Sequence, residues 1–177
     1  MIRTLQLQLC ICALLAILPW GLHAQTVQEE NLKAGYLVNF LEFIEWDHTN
    51  SKGHRIGVMN SASVVAKINA ICTARKYKEH GKPITVTDFK QKEAIKQVDL
   101  LFIPRGMQAL WPELVQLSEK EQIVLIGEEA GFLESGGLIQ FVTTNNRLRF
   151  KINCKQAERL NIRMSSKLLS LAIELKR

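Results

Sequence analysis

Val98-Asp-Leu-Leu-Phe-Ile-Pro104 is nearly all apolar, with Asp99 its one charged residue. A strand that faces water on one side alternates polar and apolar residues, and a strand buried on both faces does not. Gln122-Ile-Val-Leu-Ile126 is a second run of the same kind. Met107 to Lys120 lies between them and reads as a helix, with Leu110, Trp111, Leu114 and Leu117 inward and Pro112 in an early turn. Two buried strands joined through a helix predict a parallel sheet covered on both faces.

Outward from this unit, His54–Asn60 reads as a further strand. Ile84–Phe89 alternates as Ile-Thr-Val-Thr-Asp-Phe, a strand with one wet face. Ser61 or Ser63 caps a helix between them that runs to about Arg75, with Val64, Val65, Ile68 and Ile71 apolar. Gln91–Gln97 reads as a short helix. Leu138–Thr143 and Arg147–Ile152 form a hairpin around Thr144-Asn145-Asn146, because Asn tolerates positive φ. Glu29–Trp46 reads as a helix whose Leu32, Tyr36, Asn39, Phe40, Phe43 and Ile44 share one face, with Trp46 closing its end. Gln156–Ile162 and Ser166–Leu175 read as the closing helices. The expected fold is a single α/β domain with a largely parallel central sheet flanked by helices and an antiparallel C-terminal hairpin.

Residues 1–24 carry one charge, Arg3, then the apolar run Leu9–Leu18, the breakers Pro19 and Gly21, and a small residue, Ala24. That order predicts a signal peptide cleaved near Ala24; the alternative is an uncleaved membrane anchor, against which the run falls short of the about 20 residues a bilayer crossing needs. The mature chain, residues 25–177, is then expected outside the cytoplasm. Its length suits one domain with a real core.

The formal net charge is +6, but Lys and Arg are scattered and no aromatic-interleaved basic run occurs. A nucleic-acid platform needs a clustered footprint, so no nucleic-acid partner is expected. Cys10 and Cys12 leave with the leader, and Cys72 and Cys154 remain. Two cysteines in an oxidising compartment can form one disulfide or stay as two buried thiols. Such a bond would close a loop of about 80 residues, worth roughly 4 kcal/mol in the chain-entropy model.

His48, His54 and His80 lie in separate polar segments without ligand spacing, so no metal site is expected. No Gly-x-Ser-x-Gly elbow occurs. Ser165-Ser166 reads as a cap, and Cys72 has no local base. No catalytic residue and no cofactor are expected. Gly127-Glu-Glu-Ala-Gly131 and Gly136-Gly137 lack phosphate-loop spacing, and Glu128, Glu129 and Glu134 would repel an anion. Carboxyl ends of parallel strands are nevertheless where α/β sheets bind ligands. The candidate ligand rim is therefore Asn60, Ser61, Arg105, Gly127 and Gly131.

Several segments together resemble one family. Lys33-Ala-Gly-Tyr-Leu-Val-Asn-Phe-Leu-Glu-Phe-Ile-Glu-Trp46 looks like the opening helix of YfiR-like periplasmic proteins. Val98–Ile103 resembles their central buried strand, and Gly131-Phe132 with Gly136-Gly-Leu-Ile139 resembles their Gly-Phe … Gly-Gly-x-Ile element. Arg147–Asn153 and Ser165–Leu169 resemble their last strand and helix. The resemblance implies a periplasmic α/β domain without catalysis. In the better understood members, such a domain holds an inner-membrane diguanylate cyclase inactive through the cyclase's periplasmic region, lowering cyclic-di-GMP and biofilm formation. Redox state and small ligands are thought to tune some members. The family strand often carries Cys-His where this chain has Val98-Asp99. Cys72 matches the first half of a family disulfide whose second half is absent here, which leaves it to pair with Cys154 or stay reduced. The alternative to the cyclase reading is a periplasmic sensor that binds a small ligand and reports to another envelope partner. A homodimer is compatible with both readings.

Overall fold

The computed structural model describes residues 20–46, 53–75, 78–79 and 82–176. Its helices are α1 (Trp20–Phe40), α2 (Ala62–Ala74), α3 (Trp111–Glu121), α4 (Cys154–Arg159) and α5 (Ser166–Leu171). Its strands are β1 (Ile44–Trp46), β2 (His54–Met59), β3 (Lys78–Glu79), β4 (Lys82–Phe89), β5 (Leu100–Ile103), β6 (Val124–Gly127), β7 (Ile139–Thr144), β8 (Arg147–Asn153), β9 (Ile162–Met164) and β10 (Glu174–Lys176).

β5 and β6 lie side by side in the middle of an eight-stranded sheet of order β10-β8-β7-β6-β5-β2-β4-β3. Every residue of both is buried, as their unbroken apolar runs predict. The stretch β4-β2-β5-β6-β7 is parallel throughout. In chain order these strands lie 2-1-3-4-5, a doubly wound arrangement whose order reverses between β2 and β5. The expected hairpin joins β7 to β8 antiparallel, with Asn145 (φ 51°) and Asn146 (φ 57°) both left-handed at its turn. The expected α/β class with a largely parallel sheet is therefore the observed one.

Alternation along the buried strands splits the core in two. Leu100, Phe102, Val124 and Ile126 face a cluster with Ala34, Leu37, Val38 and Phe40 of α1, with Leu41 just after it, and with Val64 and Ile68 of α2. Leu101, Ile103 and Leu125 face the other cluster, with Trp111, Leu114 and Phe132. Helices thus cover both faces. Ser61 caps α2 by accepting the Val64 N–H at 3.4 Å, and Pro112 sits in the first turn of α3.

Four expected elements end differently. The helix expected over Glu29–Trp46 begins at Trp20 and stops at Phe40, and Ile44–Trp46 becomes β1, paired antiparallel with β9. Its expected inward face is rotated. Leu32 is 48% exposed, Tyr36 and Phe43 are half-buried, and Ala34, Leu37, Val38 and Leu41 form the buried stripe beside Phe40. Apolar residues surround this helix, so three- and four-residue steps define more than one face. The helix expected over Gln91–Gln97 shrinks to one 3₁₀ turn, Lys92–Ala94. Of the closing helices, the first stops at Arg159, and Ile162 falls in β9, paired with β1; the second stops at Leu171, and Glu174 and Leu175 fall in β10, paired parallel with β8. The hairpin is therefore followed by one further strand at that sheet edge. The leader reading falls on residues 1–19, outside the described residues, and on the first turn of α1.

Candidate functional site

The sheet's switch point fixes where a ligand rim can form, because the chain leaves β2 and β5 in opposite directions there. Asn60 follows β2 in the left-handed region (φ 47°), is exposed, and donates its N–H to the Phe89 carbonyl at 3.0 Å. Ser61 donates its N–H to the Asp88 carboxylate at 3.2 Å while its hydroxyl caps α2. These two residues therefore tie the end of β2 to the end of β4.

Arg105 follows β5, and Gly131 lies in the turn after β6. The structure brings these two loops together through carboxylates. The Arg105 N–H donates to Glu128 Oε1 at 3.1 Å, and the Gly106 N–H donates to Glu129 Oε2 at 3.0 Å. Gly106 and Gly131 are both left-handed (φ 83° each), and a Cβ on either would meet open space. Gly127 stands apart from the rest of the rim. It is buried, and a Cβ there would lie 2.7 Å from the Phe132 ring, so packing accounts for its glycine.

Lys33 joins this cluster of loops, with no local sequence pattern to place it there. Lys33 of α1 is only 7% exposed, and its ammonium donates to Glu128 Oε2 and lies 2.8 Å from Glu29. A buried ammonium is costly without a carboxylate, so the pair fixes α1 on the β6 loop. Three residues earlier, Glu30 meets the Lys67 ammonium at 2.8 Å and the Ser63 hydroxyl at 2.6 Å. Both interactions hold the Glu30 carboxyl below its ordinary range, the Lys67 hydrogen bond most strongly. One turn of α1 thus grips the start of α2 and the loop after β6. The only signal in the sequence was the Glu29–Lys33 spacing, which alone reads as a surface pair.

At the opposite ends of the strands, Arg55, Gln97, Val98, Asp99 and Lys120 to Gln122 line a polar cleft of about 350 Å³. Asp99, with its side chain 2% exposed, accepts the Arg55 N–H at 2.7 Å and the Arg55 guanidinium at 3.0 Å. His54 Nδ1 is 4.0 Å from the same carboxylate, and its ring packs against Trp46. Asp99 therefore stitches β5 to β2. Cys72 and Cys154 are both half-buried and unbonded, packed against the core cluster that α1 covers. Burial pushes the Cys72 thiol up, which leaves it a poor nucleophile near neutral pH. Among the described residues, no group of three or more His, Cys, Asp and Glu is placed to hold a metal.

Two solved structures share the fold. A conserved domain protein from Vibrio cholerae aligns with a TM-score of 0.55 at 11% identity, covering 83% of this chain and 60% of that one. An ABC domain in complex with L-Trp from Streptococcus pneumonia aligns at 0.52 with 15% identity, covering 80% of this chain and 60% of that one. This chain thus spans about 60% of the length of each. No curated protein sequence matches it. A family model described as DUF4154, YfiR/HmsC-like, matches residues 30–173, from the middle of α1 to the end of α5 and just beyond, and the chain belongs to that family.

Proposed function

We propose that this chain is a periplasmic, non-enzymatic regulator that binds the periplasmic region of an inner-membrane diguanylate cyclase and represses it, lowering cyclic-di-GMP and biofilm formation. The match to the YfiR/HmsC-like family over residues 30–173 carries this reading, because that family is one of periplasmic regulators of cyclic-di-GMP signalling. Its export rests on the leader read in residues 1–24, with cleavage near Ala24. No helix among the described residues is long and apolar enough to cross a membrane. In this reading, influence on a cytoplasmic cyclase domain runs through the partner. Binding need only favour the inactive state of that partner. A bias of about 2.7 kcal/mol changes activity about 100-fold.

Deleting the gene should raise cyclic-di-GMP and surface attachment. Restoring the full-length gene should reverse both, and a copy lacking residues 1–24 should not. No change on deletion rejects the cyclase reading, and rescue by the leaderless copy rejects the periplasmic site of action.

A second reading, a small-ligand sensor that reports to another envelope partner, is favoured by one observation. Two consecutive backbone donors, at Arg105 and Gly106, lie at the carboxyl ends of the strands, and the first shares the Glu128 carboxylate with the buried Lys33 ammonium.

A further inference from the structure

Backbone N–H groups in succession, with a cation beside them, are how proteins hold carboxylates and phosphates. Arg105 and Gly106 supply such a pair, and Lys33 supplies the cation. Gly106 takes the left-handed conformation (φ 83°), and a Cβ there would meet nothing within 4 Å, so the loop is open on that side. The donors follow β5 directly, beside the switch point of the sheet, where doubly wound folds receive ligands. All three already hold anionic oxygens, and these belong to the protein. Glu128 takes the Arg105 N–H and Lys33, and Glu129 takes the Gly106 N–H.

We propose that this rim is an anion-binding site for a small molecule bearing a carboxylate or phosphate group, kept filled by Glu128 and Glu129 as internal competitors. The external anion enters when these two side chains turn out. Lys33 then exchanges Glu128 for the ligand while keeping Glu29, 2.8 Å away. The exchange breaks the contact between α1 and the β6 loop, so occupancy is transmitted to α1. That last step rests on the ligand-sensor reading, whereas anion binding can be measured apart from it.

Competition makes the apparent affinity of the intact protein the intrinsic one reduced by the open fraction. The experiment is an NMR titration of the chain from residue 25 with inorganic phosphate and, separately, acetate, at ionic strength held constant with chloride. In the Glu128→Ala/Glu129→Ala variant, one of the two anions should shift the Arg105 and Gly106 amides saturably, with a Kd at least about 10-fold below that of the unaltered protein. The phosphate and acetate arms identify which head group fits. Adding Lys33→Gln should weaken that binding again. If the triple variant does not fold, the single Glu128→Ala variant should still bind more tightly than the unaltered protein. An absence of saturable shifts at these amides, or one Kd shared by all folded variants, overturns the proposal. Binding in vitro with unchanged cyclic-di-GMP in cells carrying Glu128→Ala upholds the site and rejects only its coupling to a cyclase.

Discussion

The Phe132 ring occupies the space that a side chain on Gly127 would take: a Cβ there would lie 2.7 Å from two of its ring atoms. A Cβ on Gly137 would lie 2.3 Å from the same ring, and Trp111 meets it edge-on with centroids 5.3 Å apart. Phe132 is fully buried, so neither it nor the strand-end backbone can easily yield. The glycines around this turn make room for an aromatic plug beneath the loop that carries Glu128 and Glu129.

Gly127→Ala should therefore cost about 1–3 kcal/mol by overpacking. Phe132→Ala should cost about 3–5 kcal/mol by leaving a cavity. With Phe132→Ala already present, the added methyl fills part of that cavity, so Gly127→Ala should cost little or nothing more. Urea unfolding of the single and double variants measures this coupling. Additive losses would show that the glycine and the ring do not compete for the same volume.

Phe40 anchors α1 to the sheet. It is 1% exposed and packs against Phe141 and Phe150 with centroids 6.0 and 5.2 Å apart, as well as against Tyr36 of its own helix. Phe40→Ala should cost about 3–5 kcal/mol. Leu32→Ala, a change at a residue 48% exposed, should stay within about 0.5 kcal/mol. Denaturant midpoints of the two variants decide the matter, and equal losses would mean that the helix presents a different face to the sheet.

These two residues show how far the sequence could be read. β5, β6 and the β7–β8 hairpin were legible because each carries a local signature: an unbroken apolar run, or Asn-Asn between alternating strands. Phe40 was correctly read as core. Leu32 was not, because Leu32, Tyr36, Leu37, Val38 and Leu41 put apolar residues all round the helix, and only the sheet selects a side. β1, β9 and β10 are three-residue strands whose partners lie far along the chain. Ile44-Glu-Trp46 and Ile162-Arg-Met164 carry no local mark that separates them from a helix turn. The placement of the candidate rim residues was legible in part. Asn60, Ser61, Arg105 and Gly131 lie just past strand ends that the sequence marks, at the end of the sheet where parallel folds bind ligands. Lys33 did not follow, since its meeting with Glu128 spans 95 positions. Glu128 and Glu129 read as groups that would repel an anion. The structure instead has them occupying the donors an anion would use.

Glu30 should give the protein a small acid-sensitive increment of stability. Its folded carboxyl lies below the ordinary value of 4.5, chiefly through the Lys67 hydrogen bond and then that of Ser63. A group lowered on folding contributes fully above its unfolded pKa, and the contribution fades as pH falls through the folded value. The carboxylate is partly exposed, so Glu30→Gln should cost under about 1 kcal/mol at pH 7. That difference should vanish below the ordinary carboxylate range. Unfolding curves of both proteins from pH 7 down to pH 3 supply the comparison. A gap that persists unchanged into acid would assign the effect to packing and not to charge.

The thiols close the set. Cys72 and Cys154 are unbonded, and both pack against the α1-side core. Val98 belongs to the cluster on the other face of the sheet. Denatured, unreduced protein lacking residues 1–24 should therefore yield two thiols, and a monomer yielding none would contain a Cys72–Cys154 bond. Reactivity adds a second measure. Desolvation raises the Cys72 pKa by penalising the thiolate, and Arg75 only partly opposes it. The thiolate is the nucleophile, so Cys72 should alkylate slowly at neutral pH. In a Cys154→Ser variant, the iodoacetamide rate should climb only at a pH above that at which an unhindered thiol responds. A rate already at its plateau near pH 7 would mean a thiolate stabilised in place. Cys72 would then be a reactive thiol of the kind redox sensors use, and the helix around it would have to open to expose it.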